Sequence, residues 1–183
     1  MRARKPAAPL NENELFDYAV KLLGQQMRTV AEVKRLLRRR VEPGESGLVK
    51  MNAVIARLQE RKYLNDPAYA ADFARLRQEN ASFGRRRVQQ DLMRKGVQAT
   101  VIGETLDAAY EDVNEEELAR RHLERKRIQK PASQKEAARV ARMLMRAGFG
   151  SSVIFRILRQ WDIAEDAIAG LESGGEEPGQ DAE

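Results

Sequence analysis

With 183 residues, 33% of them charged, only 5% aromatic and none of them cysteine, the chain excludes a disulfide framework, thiolate metal or redox chemistry, and one deep core. The formal net charge of +5 conceals a split: from Asp162 onward there are eight acidic residues and no basic one, so positions 1–161 hold 33 basic against 20 acidic residues, a surplus of +13. A field of that sign draws polyanions and leaves fold and specificity open.

The opening MRARKPAAPL is basic, but no apolar run of signal or membrane-spanning length follows it. Positions 1–10 therefore read as a flexible arm, and with no cysteine the setting reads as a reducing cytoplasm with no membrane partner. Helical signals begin at Asn11, which stands three residues before Glu14, a capping side chain followed by a carboxylate that can reach back. The same spacing recurs at Thr29 with Glu32, Asn114 with Glu117 and Ser133 with Glu136. Asn65-Asp66-Pro67 offers a cap with proline close to the first helical position, where its missing N–H costs little. Gly96 and Gly148 stand where a left-handed helix stop is expected. Between these signals apolar residues recur at helical spacing, as in Leu48, Met51, Ile55 and Leu58 and again in Val153, Ile157 and Trp161. Strand patterns are weak throughout.

The elements repeat. A shift of 52 positions lays Val88, Leu92, Arg94, Gly96, Val101, Ile102 and Leu106 on Val140, Leu144, Arg146, Gly148, Val153, Ile154 and Leu158. A looser copy, Val33, Leu37, Arg39, Val54 and Ile55, lies upstream if the segment EPGESG lengthens the first loop. Each copy follows a related helix start: Tyr18-Ala19-x-x-Leu22, Tyr69-Ala70-x-x-Phe73 and Leu118-Ala119-x-x-His122. The expected fold is all-α, an elongated array of three tandem three-helix, helix-turn-helix-like repeats over 11–64, 65–112 and 113–161. The acidic stretch 162–183 follows; from Ser173 it has too little apolar content to fold and reads as disordered. It is either a solubilising end or an internal competitor for the basic face.

Candidate chemistry is sparse. His122 is the single histidine; it could act as a base, but its equivalence to Leu22 and Phe73 makes it a core residue. Glu115, Glu116 and Glu117 begin a helix, where the macrodipole favours negative charge. There is no phosphate-cradling GxxxxGK[ST] run, no dinucleotide fingerprint and no His/Cys cluster for zinc, so neither an enzyme nor a cofactor is expected. Arginine placement carries more. Arg85, Arg86 and Arg87 follow Gly84 at a helix start, where cations are disfavoured unless an anion compensates them. Between 118 and 146 ten basic residues face two acidic ones, Glu124 and Glu136. Arg120, Arg121, Arg125 and Lys126 form one basic group, and Arg139, Arg142 and Arg146 share a face on the next helix. A solvated face mixes signs, so this imbalance favours polyanion binding, mostly through phosphates. Tyr18, Tyr63, Tyr69, Phe73 and Phe149 fall at helical core or helix-end positions rather than on a stacking platform, and Phe83 is left unassigned.

Tyr63-Leu64-Asn65-Asp66-x-x-Tyr69-Ala70-x-x-Phe73, then Arg77, then Gly84-x-x-x-Val88-x-x-x-Leu92-x-x-Lys95-Gly96-Val97, resembles the central signature of the RecX family in order and spacing. With the repeats, the resemblance spans residues 11–161. It implies a non-enzymatic regulator, working as a monomer without a cofactor. Such a regulator lies in the groove of the RecA filament on single-stranded DNA and restrains RecA's ATPase, recombinase and SOS coprotease activities. Arg85, Arg86, Arg87, Arg94 and Lys95, with the basic third unit, are then the expected filament-binding residues. Two other readings stay open: a stand-alone helix-turn-helix DNA-binding protein, and a helical adaptor for an acidic protein.

Overall fold

The computed structural model describes residues 8–161; the first seven residues of the arm and the whole acidic stretch 162–183 lie outside the described residues. Within them the chain forms nine α-helices and no strand. They are α1 (Glu12–Gln25), α2 (Val30–Leu37), α3 (Glu45–Glu60), α4 (Asp66–Ala81), α5 (Arg85–Arg94), α6 (Ala99–Tyr110), α7 (Glu115–Arg125), α8 (Gln134–Arg146) and α9 (Ser151–Gln160).

Local chemistry sets the helix starts. Asn11 and Thr29 form complete capping boxes with Glu14 and Glu32, each side chain taking the backbone N–H of the other's residue. Asn114 accepts from the N–H groups of both Glu116 and Glu117, and Ser133 from that of Glu136. The Glu136 carboxylate reaches back to Ala132 N at 2.8 Å, one residue beyond the cap, so that box is open. Asn65 caps α4 through Ala68 N at 3.0 Å. At the far ends Gly96 (φ 77°) and Gly148 (φ 93°) turn left-handed after α5 and α8. The next N–H then bonds five residues back, Val97 to the Leu92 carbonyl and Phe149 to that of Leu144. The same closure follows α3 and α7 with Lys62 (φ 59°) and Arg127 (φ 55°) at the left-handed position.

Two expectations change. Only part of EPGESG is loop, because α3 starts at Glu45, with Gly44 (φ 100°) before it and Gly47 packed where a Cβ would collide with the Glu42 carbonyl. Leu48 is 39% exposed; Val54 joins Met51, Ile55 and Leu58 on the buried face of α3 instead.

Packing divides the described residues into two compact units: 8–73 with Asp91–Ala108, and Ala74–Gln90 with 109–161. The division passes through α4 and α5. In the first unit, α1, α2 and α3 enclose Leu15, Phe16, Ala19, Val33, Leu37, Val54 and Leu58. Thr29, fully buried, accepts from Glu32 N and donates its hydroxyl to the Lys95 carbonyl at 2.7 Å. Val30 N donates to Asp66 Oδ1 at 2.9 Å, so the start of α2 is tied to both α4 and the end of α5. Gly96 fits against Ala31 with no room for a Cβ. In the second unit, α9 packs on α7 and α8, and Leu118, Leu144, Phe149, Ile157 and Leu158 are buried.

Candidate binding surface

The start of α5 is held by a contact between two glycines. Gly84 N donates to the Ala147 carbonyl at 2.9 Å, and a Cβ on Gly84 would stand 2.5 Å from the Gly148 carbonyl oxygen. A Cβ on Gly148 would in turn stand 2.6 Å from the Arg87 Cβ. The turn between α8 and α9 thus fixes where the arginine triplet begins. Arg86 is exposed, and Arg85 and Arg87 are partly covered. Arg87 lies 5.5 Å from the Phe83 ring centre, with Nη1 3.5 Å from the Arg146 carbonyl. Phe83 also receives Arg77 at 5.9 Å, so this ring is a platform for guanidinium groups. Part of the compensation that the triplet's position requires is therefore internal.

Other cations named by the sequence are distributed unequally. Lys95 is drawn inward: Nζ is 2.9 Å from Glu32 Oε1 and lies above Tyr69 and Phe73. Burial alone would raise the Glu32 pKa, but hydrogen bonds from Lys95 and from the Thr29 backbone outweigh it and hold the carboxyl below its ordinary value. Arg94 pairs with Asp91, one turn earlier on α5. Arg125 reaches the carbonyls of Glu79 and Asn80, capping the last turn of α4. Arg120 contacts Glu116 and the Gln160 side chain. Arg121, Lys126, Arg139, Arg142 and Arg146 are exposed.

His122 is 3% exposed, and its Nδ1 stands 2.8 Å from the Ala81 carbonyl, between the rings of Phe83 and Phe149. Burial pushes its pKa below the ordinary 6.5, and nearby Lys126 and Arg125 add to this against the opposing bond to Ala81. A neutral imidazole packed in this way is a core residue.

One cationic feature has no clear signal in the sequence. The loop after α7 and the adjoining face of α8 enclose a cleft of about 640 Å³ lined by Arg127, Lys130, Arg139 and Arg146 around Ile128, Pro131, Val140 and Met143. Arg127 and Lys130 lie in loop sequence, where spacing gives no facial direction; only their place in the basic run marks them. Among the described residues no group of three or more His, Cys, Asp or Glu could hold a metal ion, and no helix is long and apolar enough to cross a membrane.

These observations define a class: an all-α array of helical repeats that presents cationic surface. Residues 65–106 match the second three-helix domain of RecX, and residues 114–158 match its third. The chain is 35% identical over 148 residues to the Regulatory protein RecX of Leptothrix cholodnii, covering 81% of this chain and 89% of that one. It is 37% identical over 163 residues to that of Deinococcus radiodurans, covering 87% and 74%. The crystal structure of RecX from Lactobacillus salivarius shares the fold, with a TM-score of 0.66 at 20% identity over 82% of this chain and 96% of that chain. The chain belongs to the RecX family.

Proposed function

We propose that this chain binds the RecA filament on single-stranded DNA, in the filament groove, and restrains RecA's ATPase, recombinase and SOS coprotease activities, acting in the cytoplasm as a monomer without catalysis of its own. Three tandem units, 11–64, 65–112 and 113–161, supply the repeated contacts. The observation that carries this reading is the arginine triplet Arg85–Arg87 at the start of α5, fixed in place by the Gly84–Gly148 contact. Guanidinium groups there can form forked, charge-assisted bonds to phosphates or to carboxylates of a protein partner. The exposed Arg121, Lys126, Arg139, Arg142 and Arg146 extend the cationic surface of the same unit. Arg120 and Arg125 belong to that surface and also brace α7. Arg94, whose side chain is 64% exposed beside Asp91, and Lys95, paired with Glu32, belong to the proposed binding residues on the first unit. Many weak contacts of one sign, linked in one chain, add through effective concentration.

The test is inhibition of RecA ATP hydrolysis on single-stranded DNA by the R85A/R86A/R87A variant. Removing the three guanidinium groups is expected to weaken half-maximal inhibition on the order of tenfold or more. Undiminished inhibition by a folded variant removes the triplet from the surface.

A further inference from the structure

The cleft beside α8 has the chemistry of a receptor for an acidic amphipathic segment. Among its lining residues the exposed Arg127, Lys130, Arg139 and Arg146 make a rim, and the more buried Ile128, Pro131, Val140 and Met143 a floor. The single acid lining it, Glu136, is turned to Ala132 N at 2.8 Å. A bare phosphate needs only the cations. An apolar floor inside a cationic rim fits a ligand that brings both carboxylates and small apolar side chains.

The chain itself contains such a segment. Just beyond α9 and Trp161, Asp162–Glu172 reads DIAEDAIAGLE, with carboxylates at 162, 165, 166 and 172 and no cation. Apolar residues at 163, 164, 167, 168 and 171 recur at a spacing that gathers them on one side of a helix. The side chains of Ile163, Ala167, Ile168 and Leu171 match the floor of the cleft in character, and the flanking acids match its rim. The segment follows directly on α9, which packs on α8, the helix that forms one wall, and eleven residues span about 16 Å as a helix and at most roughly 35 Å extended. Tethering places the segment at an effective concentration of about a millimolar or more, so a contact too weak to form between separate molecules is populated within one.

We propose that residues 162–172 dock into the cleft formed by the α7–α8 loop and α8, and so compete with external polyanions for Arg127, Lys130, Arg139 and Arg146. The docked segment withdraws part of the basic surface until a denser anion displaces it. This contact needs neither RecA nor DNA, so it stands or falls apart from the filament reading.

The chain has no cysteine, so an introduced pair is unique. In the full chain, Ala132→Cys at the rim of the cleft and Ala167→Cys in the acidic segment are oxidised without nucleic acid at low salt. Intramolecular disulfide formation is followed on non-reducing gels and by mass. Alkylation rates of the two single-cysteine chains set the chemical baseline. Disulfide formation is expected to slow on the order of tenfold in each of two backgrounds, one with Arg139→Glu and Arg146→Glu, the other with Asp162→Asn, Glu165→Gln, Asp166→Asn and Glu172→Gln. The second set leaves the cleft untouched, so it reads the contact even if the first disturbs α8. Equal rates in all backgrounds would overturn the proposal. So would a disulfide forming between two chains, which would assign the cleft to a second copy.

Discussion

At the scale of single residues, the sharpest distinction is between polar groups that serve the core and those that face solvent. His122 replaces an apolar residue at a repeat position filled elsewhere by Leu22 and Phe73, and it is kept neutral by burial among Phe83, Phe149 and the Ala81 carbonyl. Its pKa in the folded chain lies below 6.5, whereas in the unfolded chain it returns to that value. Between the two values the unfolded chain binds more protons, so folding stability is fully present above about pH 6.5 and falls as acid is added down through the folded pKa. Urea unfolding between about pH 7.5 and pH 5.5 should show this loss, and His122→Leu should flatten it specifically in that window. An unchanged slope in the leucine variant would show that another group titrates there.

At the scale of elements, the ion pair of Lys95 with Glu32 couples the end of α5 to the start of α2, beside the Thr29 hydroxyl bond to the Lys95 carbonyl. Lys95→Met leaves the Glu32 carboxyl, 14% exposed, without its cation, and should cost on the order of 1 kcal/mol in urea unfolding. Restoration of stability by Glu32→Gln in the same chain would show that the loss is the unpaired carboxyl. This pair also marks the limit of what sequence reveals. The helix starts at Asn11, Thr29, Asn114 and Ser133 and the stops at Gly96 and Gly148 were legible, because caps and left-handed turns act within a few residues. The stops at Lys62 and Arg127 were not, since side chains without special backbone freedom occupy them and residue type gives no sign of the left-handed turn. Partners 63 residues apart, such as Glu32 and Lys95, leave no local signature, so the sequence offered Lys95 as a filament-binding cation without showing its internal partner. Arg125 has a bracing role that leaves no local signature either, because the carbonyls it caps lie 45 and 46 residues away. Arg86, Arg139 and Arg142 were legible as surface because the helical period alone turns them away from Val88, Val140 and Leu144.

At the scale of the whole molecule, the +13 of positions 1–161 sets the long-range field, while individual cations differ in what they do with it. Ion release gives a way to separate them. For single strands, log affinity falls with log salt by roughly 0.7 for each phosphate neutralised. A cation that touches phosphate changes this slope when it is removed; a cation engaged within the protein changes stability instead. Binding of a labelled single-stranded oligonucleotide, measured by anisotropy from low to moderate salt, should therefore separate two variants. R85A/R86A/R87A should lower the slope by up to about 2, because three phosphates at roughly 0.7 each would go without a neutralising arginine. Lys95→Met should leave the slope unchanged at temperatures where the chain stays folded, because its ammonium is already neutralised by Glu32. Equal slopes in the wild type and the triple variant would move the phosphate contacts away from α5, leaving the triplet for a protein partner. A changed slope in Lys95→Met would place Lys95 among the phosphate contacts and return it to the outer surface that its sequence context suggests.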